Sequence, residues 1–155
     1  MTPIERPKAA AAILFEGVTP ILRVQSLPVS IEYYTRVLGF KVDWDLPGIM
    51  ASVSRDRCSL MLCERDQGGP GTWVWIGVED IEPLFEDYKI KGAKVRHPPT
   101  NYPWAYEMQI EDPDGHVLRL GSEPKRNRPV GEYRDMHGEL WVMSPGGAWT
   151  QVERR

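Results

Sequence analysis

The hydrophobic pattern of residues 21–40 returns in a weaker form at residues 75–95. The stretches ILRVQSLPVSIEYYTRVLGF and WIGVEDIEPLFEDYKIKGAKV align 54 residues apart, so that Val24 matches Val78 and Tyr34 matches Tyr88. Each stretch reads as a strand, a polar turn, an amphipathic helix, a glycine stop and a new strand. A recurrence of this length indicates one supersecondary unit that is used twice.

Alternating and periodic apolar positions predict the same order of elements in both copies. In the first copy, a helix capped by Ser26 and ended by Gly39 lies among strands at Val18–Val24, Phe40–Leu46, Ile49–Ser54 and Cys58–Cys63. In the second copy, a helix at Ile81–Lys91 lies among strands at Thr72–Val78, Lys94–His97, Trp104–Glu111 and His116–Gly121. The predicted fold class is α+β, with two βαβββ modules that can enclose a cleft between their helix-free faces.

Composition divides the chain into four parts of one compact domain. The segment DQGGPG, residues 66–71, is the predicted linker between a first module at residues 18–65 and a second at 72–121. Residues 1–17 are a predicted N-terminal arm, in which Ala9–Phe15 reads as a leading strand or arm. Residues 122–155 form a C-terminal extension with a predicted β-hairpin at Glu139–Met143 and Ala148–Glu153. Because a lone hairpin is marginal in water, it should pack on the body or on a second subunit.

The overall charge and the cysteines exclude several classes of partner. A formal net charge of −3 and a pI near 5.6 argue against a nucleic-acid or anionic-membrane surface. No segment approaches the roughly 20 apolar residues of a membrane span. Cys58 and Cys63 are poorly placed for a mutual disulfide, which favours a reducing compartment, the cytoplasm. No phosphate loop or other cofactor motif is present, so no cofactor is expected.

Strand alternation places distinctive side chains on the faces away from the helices. The candidate ligand-binding residues are Arg23, Met61, Trp73, Trp75, Glu107 and Arg119, with Trp104 and Tyr106 near the rim. Paired indoles suit a flat aromatic ligand, although either indole could equally be core. Inward guanidiniums need anions, which Glu107 and its neighbours or a ligand carboxylate or phosphate would supply.

Three segments carry a resemblance to a known family: LRVQSLPVSIEYYTRVLGF, GVEDIEPLFEDYKIKGAKV and EMQIEDPDGHVLRLG. They resemble the vicinal-oxygen-chelate superfamily, which includes glyoxalase, bleomycin-resistance and extradiol-dioxygenase proteins. The resemblance covers roughly residues 18–121. It implies paired βαβββ modules that form an open, eight-stranded, barrel-like cleft, commonly completed by a homodimer.

The resemblance also implies four metal-ligand positions, and this sequence departs from the pattern at each of them. The positions fall on Thr19, Met61, Trp73 and Arg119. None of these side chains suits a divalent metal, and a guanidinium would repel one. His97, His116 and His137 lie elsewhere and read as surface or capping histidines. We therefore expect no metal site and no catalytic residues of the metal-dependent type.

Three functions remain open at this point. The favoured one is metal-independent sequestration of a small, partly aromatic ligand, as in bleomycin-resistance proteins. The second is a superfamily enzyme, a lyase, isomerase or dioxygenase, with an unrecognised metal site. The third is a dimeric interaction module whose cleft is filled by its own side chains, with Trp141 and Trp149 at the contact surface.

Overall fold

The structure, a computed structural model, describes residues 9–153, so residues 1–8 of the predicted arm lie outside it. The first module contains β1 (Ile21–Arg23), α1 (Leu27–Glu32), β2 (Lys41–Leu46), β3 (Met50–Arg55) and β4 (Cys58–Cys63). The second contains β5 (Trp73–Gly77), α2 (Ile81–Ile90), β6 (Lys94–Asn101), β7 (Tyr106–Glu111) and β8 (Val117–Ser122). The C-terminal extension contains β9 (Tyr133–Arg134), β10 (Leu140–Met143) and β11 (Trp149–Gln151). Within the described residues, no helix is long and apolar enough to cross a membrane.

Both modules form a four-stranded mixed sheet with the same strand order. The first sheet runs β1-β4-β3-β2 and the second runs β5-β8-β7-β6. In each sheet the first strand pairs in parallel with the last strand of its module, and the other pairs are antiparallel. The predicted α+β fold of two βαβββ modules is thereby confirmed, with a third, three-stranded antiparallel sheet in the extension.

The strand register defines which positions of the two sheets are equivalent. Ile21 lies opposite Met61 in the first sheet, as Trp75 lies opposite Arg119 in the second. Across the next strand pair, Met61 lies opposite Ser52, as Arg119 lies opposite Gln109. The same register makes Met50 the equivalent of Glu107, because they face Cys63 and Gly121.

Both helices begin and end as their sequences predict. The Ser26 hydroxyl accepts a hydrogen bond from the Val29 amide at 3.4 Å, and the Asp80 carboxylate accepts one from the Glu82 amide at 3.2 Å. Gly39 and Gly92 follow the helices at φ of 77° and 79°, the left-handed conformation that glycine adopts without a steric cost. The first helix continues past α1 as a π-helical segment at Tyr33–Val37.

A single hydrophobic core joins the helix-facing sides of the two sheets. Its strand residues include Leu22, Val53 and Leu62 from the first module and Met108 and Leu118 from the second, each at most 2% exposed. These positions alternate with the residues on the opposite face of each sheet, because side chains along a strand point to the two faces in turn. The face of each sheet that points away from its helix is called its inner face below.

Two buried tyrosines and a histidine fasten the modules together. The Tyr34 hydroxyl donates to Asp112 at 3.0 Å, and the equivalent Tyr88 hydroxyl donates to the Leu38 carbonyl at 2.8 Å. His116 is fully buried: its Nδ1 accepts from the Thr72 amide at 3.0 Å, so Nε2 donates to the Arg23 carbonyl at 2.6 Å. Of the two interpretations of His116, a surface or a capping histidine, the surface one is therefore wrong.

Other differences from the sequence predictions arise where alternation is weak. Of the two predictions for Ala9–Phe15, a leading strand or an arm, the strand is not observed, and a 3₁₀ turn forms at Ala10–Ala12. Strand β6 continues through Pro98 and Pro99, which were predicted to be loop, with register shifts that accommodate the two prolines. The predicted hairpin is present as β10 and β11, and the two-residue strand β9 adds to it.

Candidate functional site

A buried ion pair lies on the inner face of the second sheet. Arg119 Nη2 lies 2.8 Å from Glu107 Oε1, and the side chains are 25% and 1% exposed. The Trp104 indole N–H also donates to Glu107 Oε1, at 3.3 Å. The predicted pairing of an inward guanidinium with Glu107 is therefore observed for Arg119.

This ion pair is only partly satisfied. Glu107 Oε2 and Arg119 Nε are both buried and have no hydrogen-bond partner among the described residues. A buried polar atom without a partner costs about 1–3 kcal/mol. The pair therefore presents one free acceptor and one free donor on the inner face.

Aromatic rings surround both arginines of this face. The Arg119 guanidinium lies 5.2 Å from the Trp75 ring centroid, and the Arg96 guanidinium lies 4.9 Å from that of Trp73. Burial lowers the pKa of Arg96, and the carboxylate of Glu111 opposes that shift. Arg96 also donates a short hydrogen bond to Gln109 Oε1. These contacts bring cations and indoles from β5, β8 and β6 together across the second sheet.

Gly121 creates the room that the Trp75 indole occupies. A Cβ atom at this position would lie 2.5 Å from Trp75 Cη2 and 3.3 Å from the Ala105 Cβ. The indole thus lies over Gly121 of β8, and it remains 48% exposed.

Four further aromatic side chains form a cluster at the edge of the inner face. Tyr102 and Trp104 stack with ring centroids 4.9 Å apart and an interplanar angle of 5°. Tyr133 and Trp149 from the extension contact both of them, with centroid separations of 5.9–6.4 Å. Trp104 nevertheless remains 44% exposed.

The C-terminal extension lies across this inner face. The Arg134 carbonyl accepts hydrogen bonds from Gln109 Nε2 at 3.1 Å and Arg96 Nη1 at 3.2 Å, and the Asp135 carbonyl accepts a short one from Arg96 Nη2. The Tyr133 ring lies 5.6 Å from the Arg119 guanidinium. Of the two predicted positions for the hairpin, the structure shows the one on the chain's own body.

Asn101, at the end of β6, holds the beginning of the extension. Its side-chain N–H groups donate to the carbonyls of Lys125 at 2.9 Å and Arg128 at 3.0 Å, and its Oδ1 accepts from the Lys125 amide at 2.7 Å. Its carbonyl accepts from the Gly131 amide at 2.9 Å.

Three of the eight predicted site residues lie apart from the others. Arg23 and Met61 occupy the inner face of the first sheet, where Arg23 Nε donates to the Gln67 carbonyl at 3.0 Å. In the described part of the chain, no hydrogen bond, ion pair or ring contact joins them to Trp73, Trp75 or Arg119. Tyr106 is not at the rim: it lies on the helix side of β7, 6% exposed, where its hydroxyl accepts from Arg128 at 3.0 Å.

Sequence reasoning missed four residues of this site: Arg96, Tyr102, Tyr133 and Trp149. Strand alternation that starts at Lys94 would have predicted the face of Arg96, since residues two apart in a strand share a face. No periodic signal marks Tyr102, Tyr133 or Trp149, because two of them come from the extension and one follows the bulged end of β6.

The positions that the family resemblance assigns to metal ligands do not fit a divalent cation. Arg119 is paired with Glu107, the Trp73 ring contacts Arg96, and Thr19 is exposed. Among residues 9–153, no group of three or more His, Cys, Asp or Glu side chains could hold a metal ion. The chemistry of this face is therefore stacking, hydrogen bonding and charge pairing.

A separate cavity of about 770 Å³ opens at the junction of the modules, on the helix side. It is bounded by the β3–β4 turn and the start of α2, and its lining includes Arg55, Arg57, Asp80, Asp87 and Leu120. Charges of both signs line it beside apolar groups, and none of the predicted site residues borders it.

Solved structures with this fold come from several bacteria. TioX from Micromonospora sp. ML1 is 18% identical, with a TM-score of 0.62, and the match covers 70% of this chain and 99% of TioX. TnmS3, an antibiotic binding protein from Streptomyces sp. CB03234, is 21% identical, with a TM-score of 0.64 and coverage of 73% and 99%. A glyoxalase/bleomycin resistance protein/dioxygenase from Nocardioides is 20% identical, with a TM-score of 0.57 and coverage of 84% and 92%. No curated protein matches the chain.

A family model matches residues 15–120, which comprise both modules and end before the C-terminal extension. The repeated βαβββ unit, its strand order and this match agree with one another. The chain belongs to the Glyoxalase/Bleomycin resistance protein/Dioxygenase superfamily.

Proposed function

We propose that this protein is a metal-independent small-molecule binding protein of the bleomycin-resistance type, which sequesters a partly aromatic ligand in the cytoplasm. The ligand would bind on the inner face of the second sheet. The observation that carries the proposal is the buried Glu107–Arg119 pair, which keeps one free acceptor and one free donor beside exposed indoles.

The free atoms specify the polar part of the ligand. Arg119 Nε–H would donate to an acceptor on the ligand, and Glu107 Oε2 would accept from a donor next to it. A carboxamide or the edge of a nitrogen heterocycle carries both groups side by side. Satisfying both atoms would recover the cost of burying them without partners.

The indoles specify the apolar part. Trp75 and Trp104 are 48% and 44% exposed, so each offers part of a ring to a flat ligand. Stacking on an aromatic side chain contributes about 0.5–1.5 kcal/mol beyond the area it buries. The structural likeness to TnmS3, an antibiotic binding protein, supports a small-molecule ligand of this kind.

Intrinsic tryptophan fluorescence tests the proposal. Planar aromatic carboxamides, titrated into the protein, should change its emission, and Trp75→Ala should weaken their binding at least tenfold. Trp44→Ala is the matched control, because Trp44 is 40% exposed on the inner face of the first sheet. If no compound binds, or if the two variants lose affinity equally, the proposal is wrong.

A second candidate function follows from the position of the extension. Tyr133, Arg134 and Asp135 already contact the polar groups of the inner face, as expected for an interaction module with a self-filled cleft. Such a module would bind none of the compounds in the titration, and Trp75→Ala would then affect only its stability.

We also propose that the protein is a homodimer. The inner face of the first sheet exposes Trp44 by 40% and Leu46 by 54%, and the segment before β1 exposes Leu14 by 77% and Phe15 by 93%. Large apolar side chains exposed together mark an interaction surface more often than a free one. A second copy of the chain would cover them.

A further inference from the structure

We propose that the C-terminal extension is an internal competitor for the ligand site: residues 133–135 occupy the inner face of the second sheet and leave it when a ligand binds. The inference rests on the proposed function and adds its regulation. The family match ends at residue 120, before this segment begins.

The segment at residues 133–135 contacts the site as a bound peptide would. Its Tyr133 ring lies 5.6 Å from the Arg119 guanidinium and within 6.4 Å of the Trp104 ring. Its carbonyls at Arg134 and Asp135 accept hydrogen bonds from Arg96 and Gln109. An aromatic ring followed by acceptors is also the chemistry inferred for the ligand, so both cannot occupy the face together.

The extension is held weakly enough to leave. From residue 122 to residue 153, every residue is half-buried or exposed, so this segment has no core of its own. Segments with few buried apolar contacts open at a small fraction of the free energy of global unfolding. Removal of the segment would leave the hydrophobic core of the two modules intact, since that core contains none of its residues.

The closed arrangement also leaves the site incompletely paired. Tyr133 and its neighbours do not reach Glu107 Oε2 or Arg119 Nε, which stay without partners in the part of the chain that is described. A ligand that pairs with both atoms therefore gains hydrogen bonds that the extension does not make. These additional hydrogen bonds would favour replacement of the extension by the ligand on the inner face.

Gly131 marks the place where the extension crosses the body. A Cβ atom there would collide with Thr100 Cγ2 and would lie 3.7 Å from Thr100 Cβ. The second distance falls within the 3.5–4.5 Å Cβ–Cβ range of disulfides. The pair Thr100→Cys and Gly131→Cys can therefore lock the extension onto the body, and a larger side chain at position 131 can push it away.

The disulfide lock is the decisive experiment, and its probe is 1-anilinonaphthalene-8-sulfonate, an anion that carries a naphthalene ring. Probe fluorescence measures binding to the full-length double-cysteine variant, first oxidised and then reduced. The fraction of probe binding that Trp75→Ala abolishes is assigned to the inner face of the second sheet. The oxidised form should bind at this site at least tenfold more weakly than the reduced form. Each single-cysteine variant should be insensitive to reductant, which controls for Cys58 and Cys63.

The outcomes separate the two proposals. Equal binding by the oxidised and reduced forms would overturn the competitor alone. Absence of site binding in both forms would overturn the proposed function and the inference with it. A disulfide that links two chains, seen as a doubled mass on a non-reducing gel, would also overturn an internal competitor.

A wedge at position 131 gives the opposite effect. Gly131→Val should displace the extension and tighten probe binding several-fold. Gly146→Ala is its control within the extension, because the nearest atom to a Cβ there is Ser144 Oγ at 4.0 Å. Thr100→Ser removes the colliding methyl group, so the pair Gly131→Ala and Thr100→Ser should bind like the parent protein. Unchanged binding by Gly131→Val would contradict the competitor.

Discussion

The two modules have the same strand order and register, yet their inner faces carry opposite chemistry. At equivalent positions the first sheet has Met50, Ser52 and Met61, whereas the second has Glu107, Gln109 and Arg119. At these three positions the first inner face is therefore uncharged, whereas the second carries an ion pair. The repeated unit determines where a side chain points, while the residue type at that position determines what the face can bind.

The two inner faces also differ in what lies over them. The extension contacts the second face through Tyr133, Arg134 and Asp135, while Trp44 and Leu46 of the first face remain 40% and 54% exposed. The inner face of the second module is thus contacted by the chain's own extension, whereas that of the first module leaves large apolar side chains exposed.

The largest expected effect is the loss of the proposed dimer when a charge is placed on the exposed face. Leu46→Glu places a carboxylate among the apolar side chains of the first inner face, so the protein should change from a dimer to a monomer. Ile90→Glu is the control, because Ile90 is 84% exposed on α2. Light scattering coupled to size exclusion measures both masses. A dimeric Leu46→Glu variant would show that the second copy binds elsewhere.

A smaller effect is expected from making the second face resemble the first. Arg119→Met leaves the 1%-exposed Glu107 without its cation and should lower the free energy of unfolding by about 3 kcal/mol. The double variant Glu107→Met and Arg119→Met reproduces the residues of the first module and should recover most of that loss, because hydrophobic side chains often replace a buried ion pair without cost. Urea unfolding of the single and double variants measures their free energies of unfolding, and a double-mutant cycle gives the coupling between the two side chains. Additive losses would contradict a coupled pair.

The smallest expected effect is a difference in stability loss between variants of Tyr34 and Tyr88, the equivalent tyrosines at the module junction. Tyr88→Phe removes a hydrogen bond to a carbonyl and should cost about 1 kcal/mol at pH 7, whereas Tyr34→Phe removes one to the Asp112 carboxylate and should cost about 2 kcal/mol. Thermal or urea unfolding at pH 7 measures both. Equal losses would show that the carboxylate adds nothing to the bond.

The same tyrosines predict how stability changes in alkali. Burial raises the pKa of Tyr88 to about 12 and that of Tyr34 well above its ordinary value. At Tyr88 the unfolded chain releases its proton near pH 10 and the folded chain does not, so the stabilisation is complete below pH 10 and is lost as the pH rises through about 12. Tyr88→Phe should therefore approach the stability of the parent protein above pH 10. A constant difference across this range would contradict the shift.

Much of the fold follows from local patterns in the sequence. The caps at Ser26 and Asp80 and the turn at residues 112–115 depend on the conformational preferences of a few adjacent residues. Alternation along β5 and β8 likewise placed Trp75 and Arg119 on one face, since that inference needs only the period of a strand.

The rest of the site depends on contacts between distant segments. Tyr133 lies in a two-residue strand, which is too short to show a period, and it reaches Arg119 only because the extension folds back. Tyr106 lies on the helix side of β7 because it alternates with Glu107 in that strand, whereas Trp104 precedes the strand and does not follow its period. The sequence predicted that β6 ends at His97, before its two prolines, because proline is rare within sheets.

The short connection from β8 to β9 determines how strongly the extension competes with a ligand for the inner face of the second sheet. Ten residues separate Ser122 from Tyr133, so the tail is tethered beside its own docking place. A short flexible tether gives an effective concentration on the order of millimolar. The same segment supplied as a free peptide would need that concentration to occupy the inner face equally well. A ligand that is both scarce and weakly bound would therefore not displace the extension.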